Sequence, residues 1–410
     1  MSDFFWRTLS YIAGLAAITV LFALTAFSTN LEIKDLDLWL HIKTGEYIVG
    51  HKTVPDHDVL SCSIAGKPWV NHEWLFQVIV YGIHHLWGFD GLITMQMVVV
   101  CLTFFVLLFI SYHRDRQWLM VFTLLLVLLI YQGRFTIRPD IFSLLFFALF
   151  MSILSVHIHK RWSVWVLGLV QVLWVNMHGF FIFGPILAAI AVLSELIKRR
   201  LPLPYEWNST GRLTDEEYRH LKKILWVVLG LCLVNPLTFA GAIYPFKVLF
   251  QSAGESKIFF EHIYELQRPF TGGVLNSGNI HYKILILMSF LSFFFNRRRL
   301  DISVFFVWLV FLLFSLAAIR NMVFFACAAY LVILVNSMTV SLDAIMPFRF
   351  SSSKFKYITG VLAKCALIFW MLDYGLKLTD RGYFDFDTYE RKSEYGGVSK
   401  RSFPYKAVDF

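Results

Sequence analysis

The chain has 410 residues, 58% of them hydrophobic, 18% aromatic and only 16% charged, with a mean hydropathy of +0.62. That balance excludes a water-soluble globular protein and defines a polytopic membrane protein. The formal net charge of +9 gathers in short basic runs just beyond apolar segments: Arg114 with Arg116, Lys160-Arg161, Lys198 to Arg200, Lys222-Lys223 and Arg297 to Arg299. Membrane topology explains that pattern, and nucleic acid is not among the expected partners.

Spans of about 20 apolar residues are expected at 9–28, 91–112, 118–133, 140–158, 162–177, 180–197, 224–241, 281–296, 302–319, 322–338 and 357–377, eleven in all. The fold class is therefore an all-α polytopic helical bundle. The first run is long enough to cross and no strong small-x-small cleavage site follows it, so it is expected to stay as an anchor. Between it and the second span, Glu73 to Trp87 has helical periodicity broken by His84-His85, and is expected as an interfacial or partly inserted helix. Thr214 followed by Glu216 and Glu217 marks a helix start. Cys101, Cys232, Cys327 and Cys365 fall in apolar segments and only Cys62 in a loop, which gives no disulfide framework.

With the N-terminus in the cytoplasm, every tight basic cluster falls on the inner side, as the positive-inside bias requires. The expected organisation is a transmembrane domain over 1–377 and an extracytoplasmic tail over 378–410. Within the first lie an extracytoplasmic loop at 30–90, a cytoplasmic loop at 198–223 and a second large extracytoplasmic loop at 235–280. The outer face also receives the turns at Arg134–Asp140, His178-Gly179 and Arg320-Asn321, so the polar residues at odd span ends collect on one side.

The hydrophilic stretch from Asp35 to Trp74 concentrates titratable groups as no other part does. It holds Asp35, Asp37, Asp58, His41, His51, His57, His72, Glu46 and Glu73, with Trp39 and Trp69. Chemistry in a polytopic protein tends to sit where polar groups gather beside the bilayer, so this stretch is read as one wall of an active site. Asp37 and His41 stand four apart and share a face if the segment is helical, whereas Asp35 and Asp37 diverge.

Asp37-Leu38-Trp39-Leu40-His41, His72-Glu73-Trp74, Arg138-Pro139-Asp140-Ile141-Phe142, Trp174-Val175-Asn176-Met177-His178-Gly179, Asn235-Pro236 and Arg320-Asn321 need a common explanation. Together they resemble a group of bacterial integral membrane proteins of the glycosyltransferase C (GT-C) superfamily, through the patterns D-x-W-x-H, H-E-W, R-P-x-x-F and W-x-N-x-H-G. The resemblance runs from about Asp35 to Arg320. It implies a many-helix bundle in the bacterial cytoplasmic (inner) membrane that moves a sugar from a polyprenyl-phosphate donor to an extracytoplasmic glycan, lipid or protein. Relatives continue past a segment like Phe403–Phe410 into a soluble domain, so this chain is expected to be a shortened form.

Asp37 is the expected catalytic base, with capping of the helix near Trp39 as its other reading. Asp35 is the runner-up, and His41 stands by to orient the base. His72, Glu73 and His178 are candidate substrate-binding groups. The sequence assigns no cofactor, and a divalent metal near His41, His72 and Glu73 is an open alternative for a site facing phosphate. Arg134, Arg138 and Arg320 sit against the positive-inside bias, and a guanidinium there can hold a lipid phosphate in its fork. The other reading pairs each with an acid, as Arg138 with Asp140. Glu261 and Glu265 share a helical face and read first as an amphipathic surface helix. Two further function classes stay open, a polysaccharide polymerase or ligase using polyprenyl-diphosphate glycans and a transporter of a lipid-linked anion.

Overall fold

In hydrocarbon every backbone N–H and C=O must find a partner within the protein, and a chain this apolar meets that demand with helices. The structure, a computed structural model, describes residues 3–110, 112–251, 262–270, 273, 278–339, 353–381, 384–385, 390–391 and 396–399. Its helices are α1 (Asp3–Thr29), α2 (Asp37–His51), α3 (Trp74–Ile110), α4 (Gln117–Tyr131), α5 (Asp140–Val156), α6 (Ser163–Val175), α7 (Phe183–Arg200), α8 (Asp215–Leu231), α9 (Thr238–Gln251), α10 (Ile280–Phe295), α11 (Ile302–Ser315), α12 (Met322–Thr339) and α13 (Ser353–Arg381). Among the described residues the one strand ladder is a two-residue antiparallel pair, Phe384–Asp385 with Glu390–Arg391.

Six of these segments are long and apolar enough to cross a membrane and four more are shorter apolar helices. They match ten of the eleven expected spans. The exception is 224–241. There α8 ends at Leu231 and α9 starts at Thr238, because Pro236 has no N–H to continue a helix and disfavours the helical conformation at Asn235. Asn235 replaces the lost helix bonds. Its Oδ1 accepts from the Leu237 N–H at 2.9 Å, and its Nδ2 donates to the carbonyls of Cys232 and Thr238, both at 3.0 Å. α8 begins earlier than expected, with a capping box between Thr214 and Glu217. In α3, Gly88 takes φ 62° and ψ −155°, a conformation that only glycine adopts cheaply. It divides a short helix over 74–87 from the apolar run that follows.

α12 is the most deeply buried of the long helices. Phe324 on it packs edge-to-face with Phe147, Phe180, Phe183 and Phe314, the geometry aromatic rings prefer. α13 lies along α1, with its outer face open.

Polar contacts sort the helix ends into two sets. One joins the end of α7 to the start of α8 and the turn before α11: Lys198 with Asp301 at 2.8 Å, Arg299 with Glu206 at 2.7 Å, and Arg199 with Glu195 and Asp215. The starts of α1, α4 and α13 meet at a buried lysine, where Lys364 Nζ donates to the Ser10 carbonyl at 2.6 Å and to Gln117 Oε1 at 3.3 Å. The other set brings together the end of α1, the α4–α5 turn, residues 262–270 and the α11–α12 turn, and it holds the acidic stretch.

Candidate active site

The turn between α4 and α5 is the hub. A 3-10 turn, Gln132–Arg134, and Pro139 ahead of α5 fold the chain so that Arg138 meets Asp35 in the linker after α1 and Arg134 meets Glu265. Arg138 grips Asp35 with two nitrogens, Nε to Oδ2 at 2.5 Å and Nη2 to Oδ1 at 2.9 Å, the fork geometry that fits guanidinium to carboxylate. The same guanidinium reaches Asp37 Oδ2 at 2.9 Å and Glu265 Oε2 at 3.5 Å. Arg134 binds Asp140 Oδ2 through Nη2 at 2.6 Å and Glu265 Oε2 through Nη1 at 2.7 Å. Asp140 is therefore the partner of Arg134 and not of Arg138, which corrects the pairing expected from sequence.

The two acids of the first loop differ sharply in exposure. The Asp35 side chain is 7% exposed and that of Asp37 57%. α2 does begin at Asp37, but the carboxylate that satisfies its first N–H belongs to Asp35, whose Oδ1 accepts from the Asp37 N–H at 3.2 Å. The capping reading thus passes from Asp37 to Asp35. Burial opposes ionisation of Asp35, but the bonds and charge of Arg138 outweigh it and hold its carboxyl below the usual range. His41, one turn into α2, is 5% exposed and packs edge-on against Phe76 with ring centroids 5.1 Å apart. Burial pushes its pKa down, so it is neutral at pH 7, and no hydrogen bond joins it to Asp37 among the described residues.

A second group lies where α3 starts. His72 Nε2 is 3.4 Å from Glu73 Oε1, and the His72 ring lies 4.3 Å from the ring of Tyr244 on α9. Burial would raise the Glu73 pKa, but the hydrogen bond from His72 and the nearby imidazoles of His72, His178 and His41 bring it to about 2. His178 shares a 2.8 Å hydrogen bond with Ser143, which in turn accepts from Trp174 Nε1 at 2.8 Å, and burial lowers its pKa to about 4. Asn176 stitches three segments together. Its Oδ1 accepts from Trp74 Nε1 at 2.8 Å, its Nδ2 donates to the Val234 carbonyl at 2.8 Å, and its carbonyl accepts from the Leu75 N–H at 3.1 Å. The H-E-W and W-x-N-x-H-G motifs are thus two halves of one joint.

Arg320 stands apart from the paired arginines. Its guanidinium lies 5.8 Å from the Phe180 ring, and its buried Nε has no partner among the described residues. It feels the charges of Glu265, Arg134, Asp140 and Arg138. Buried oxygens of Asp140 and Asn321 also lack partners there, so the neighbourhood retains unused donor and acceptor capacity.

Among the described residues no three His, Cys, Asp or Glu side chains gather in a way that could hold a metal ion, and guanidinium groups already occupy the acids beside Asp37. The donor set does not fit the divalent metal considered from sequence. Sequence reasoning passed over Tyr244, Ser143 and, above all, Glu265, which it placed on a surface helix. Glu265 instead sits in a short 3-10 turn and bridges two arginines. An acid in the second loop expected outside, where the sequence also places arginines against the expected charge bias, was the available signal. Glu261 and Phe403–Phe410 lie outside the described residues.

The architecture defines a polytopic helical membrane protein with a GT-C-like fold. It is similar to the crystal structure of the Archaeoglobus fulgidus oligosaccharyltransferase in the apo form, with TM-score 0.51, 11% identity, and coverage of 88% of this chain and 56% of that one. A second solved structure, the archaeal oligosaccharyltransferase AglB from the same organism in complex with an inhibitory peptide and a dolichol-phosphate, gives TM-score 0.49 at 13% identity, covering 94% of this chain and 56% of that one. The chain thus spans just over half the length of these proteins. No protein-family model matches it, and no curated protein does.

Proposed function

We propose that this protein is a membrane glycosyltransferase that moves a sugar from a polyprenyl-phosphate donor to an extracytoplasmic hydroxyl of a glycan, lipid or protein acceptor. One observation carries the reading. Arg138 holds Asp37, an exposed acid, and is also among the charges felt by Arg320, whose buried Nε is unpartnered among the described residues. The fold shared with an oligosaccharyltransferase and the motif resemblance are consistent with it, and fold alone does not assign chemistry.

The acceptor oxygen attacks the anomeric carbon while the bond from that carbon to the phosphate oxygen breaks. The acceptor proton passes to Asp37, and the electron pair leaves on the polyprenyl phosphate. Arg320 receives the developing phosphate charge, since the fork of Arg138 is filled by Asp35. Arg138 keeps Asp37 in place, and Arg134 with Glu265 and Asp140 fixes Arg138. His72, Glu73 and Tyr244 line the neighbouring wall as sugar contacts. The protein sits in the bacterial inner membrane with this face outside.

The test is release of free polyprenyl phosphate from radiolabelled polyprenyl-phosphate hexoses and pentoses by the protein in nanodiscs. Turnover that disappears in Asp37→Asn supports the reading. Inertness toward all of them, with elongation of a polyprenyl-diphosphate glycan instead, would replace it with the polymerase reading.

A further inference from the structure

The linker between α1 and the acid pair is held by a part of the chain that lies far away in sequence. Ile33 gives its N–H to the Gly397 carbonyl and its carbonyl receives the Ser399 N–H, both at 2.9 Å. This is a parallel bridge with Val398 opposite Ile33. Ile33 is 5% exposed and Ser399 1%, and Val398 packs on the apolar core. Gly396 and Gly397 take φ 67° and 70°, and two successive left-handed residues bring the segment against the linker. No heavy atom lies within 4 Å of a Cβ built at Gly397, so the glycine there serves conformation and not space.

The linker is not packed on every side. It borders a cavity of about 330 Å³ lined by Leu31, Glu32, Lys34, Asp35, Gln96 and Gln132 among others. A salt bridge to Arg138 fixes how far Asp35 stands from that arginine, but Arg138 can follow the acid, so the bridge alone does not fix the pair relative to Arg320. Main-chain pairing two residues before Asp35 does.

We propose that Gly397–Ser399 is a positioning element of the active site, a brace that docks on Ile33 by strand addition and sets where Asp35 and Asp37 stand. Its effect on turnover rests on the glycosyl-transfer reading, and its effect on the acidic turn does not.

The test uses the full chain in nanodiscs and three variants. Ser399→Pro removes the donated N–H, Gly397→Ala strains the left-handed residue without touching the linker, and Gly397→Asn places there a residue that tolerates the left-handed conformation. Hydrogen–deuterium exchange should show Ile33 protected in the wild type. In the first two variants exchange over Ile33–Ile42 should be roughly tenfold faster, the equivalent of one lost hydrogen bond. Turnover of the radiolabelled donors should fall roughly 10- to 100-fold with the donor KM unchanged. The acid limb of the pH–rate profile should move up as Asp35 loosens from Arg138, and Gly397→Asn should stay closer to wild type than Gly397→Ala in every readout. A freely exchanging Ile33 in the wild type overturns the brace. So does loosening that stops at Ile33 without reaching Asp35–Ile42, or loosening that reaches it and leaves turnover and the acid limb where they were. If the wild type turns over none of the donors, the transfer reading fails, and the extent of loosening alone decides the brace.

Discussion

Asp35 and Asp37 share one guanidinium, and their different exposure assigns them different work. Asp35 is buried and bound through both oxygens, so its substitution acts on structure. Asp35→Asn should lower the melting temperature by an amount corresponding to about 1–3 kcal/mol, the cost of unpairing a charge that keeps some water contact. Asp37→Asn keeps size and most hydrogen bonding, and it should melt like the wild type while losing roughly 100- to 10,000-fold in turnover. Thermal melts and single-turnover rates on the two variants separate these outcomes, and the reverse pattern would move the base by two residues. Arg320→Lys should weaken donor use strongly, since an ammonium cannot reproduce the fork, and an unchanged donor KM in a folded variant would make Arg320 structural. His178 gives a pH prediction. Its pKa is depressed from 6.5 to about 4, so the unfolded chain binds more protons than the folded one between those values, and the stability contributed by the neutral imidazole is lost as pH falls through that window. The Glu73 carboxyl, held at about 2, adds a loss of the same sign at lower pH. Melting temperature should therefore fall on acidification from about 6.5, and His178→Asn should flatten the slope above pH 4.5.

At the scale of elements, the position of Asp37 depends on how α2 lies on α3. Gly45 makes that contact. A Cβ there would fall 2.2 Å from the Gln77 carbonyl oxygen and 2.6 Å from Tyr81 Cβ. Gly45→Ala must push the helices apart and should destabilise by about 1–3 kcal/mol, with turnover falling further than the loss of folded protein explains. A melt and a rate measured on the same preparation check it. Ten of the eleven expected segments coincide with apolar helices, because hydropathy over about 20 residues is a local property. At the eleventh, α8 covers 224–231 and a local helix breaker at Asn235-Pro236 ends the helix before the apolar window does. The acid pair and the unbiased arginines were legible as candidates for the same reason, since excess charge beside a span is visible in one dimension. Their pairing was not. Arg138 with Asp35, Arg134 with Glu265 and Trp74 with Asn176 are separated by 103, 131 and 102 residues, and only the packed bundle brings them together. Sequence proximity pointed to Asp140 for Arg138, whereas the turn presents that acid to Arg134.

For the whole molecule, the two sets of helix ends make a statement about topology that each contact tests independently. The linker after α1, the α4–α5 turn, Glu265 and the α11–α12 turn meet at one end. The ends of α7 and α10 and the starts of α1, α4, α8 and α13 fall in the opposite set. This grouping agrees with the sorting of basic runs by the positive-inside bias, which used no structural information. It fixes which loops share a side and leaves the direction to experiment. Cys62 is exposed in the first loop and Cys365 on α13, so a reporter chain carries Cys365→Ser and retains Cys62. In cells with a permeable outer layer, an impermeant thiol reagent should label Cys62, and a cysteine placed at the exposed Ala65 should label equally. In a Cys62→Ser background, Ser209→Cys should label only after the inner membrane is opened, because Ser209 lies in the 201–214 loop tied to Arg297 and Arg299. Labelling of Ser209→Cys from outside would invert the molecule and carry Asp37, Arg138 and Arg320 to the cytoplasmic face. There the acceptor would have to be cytoplasmic, and the proposed reaction would lose its substrate.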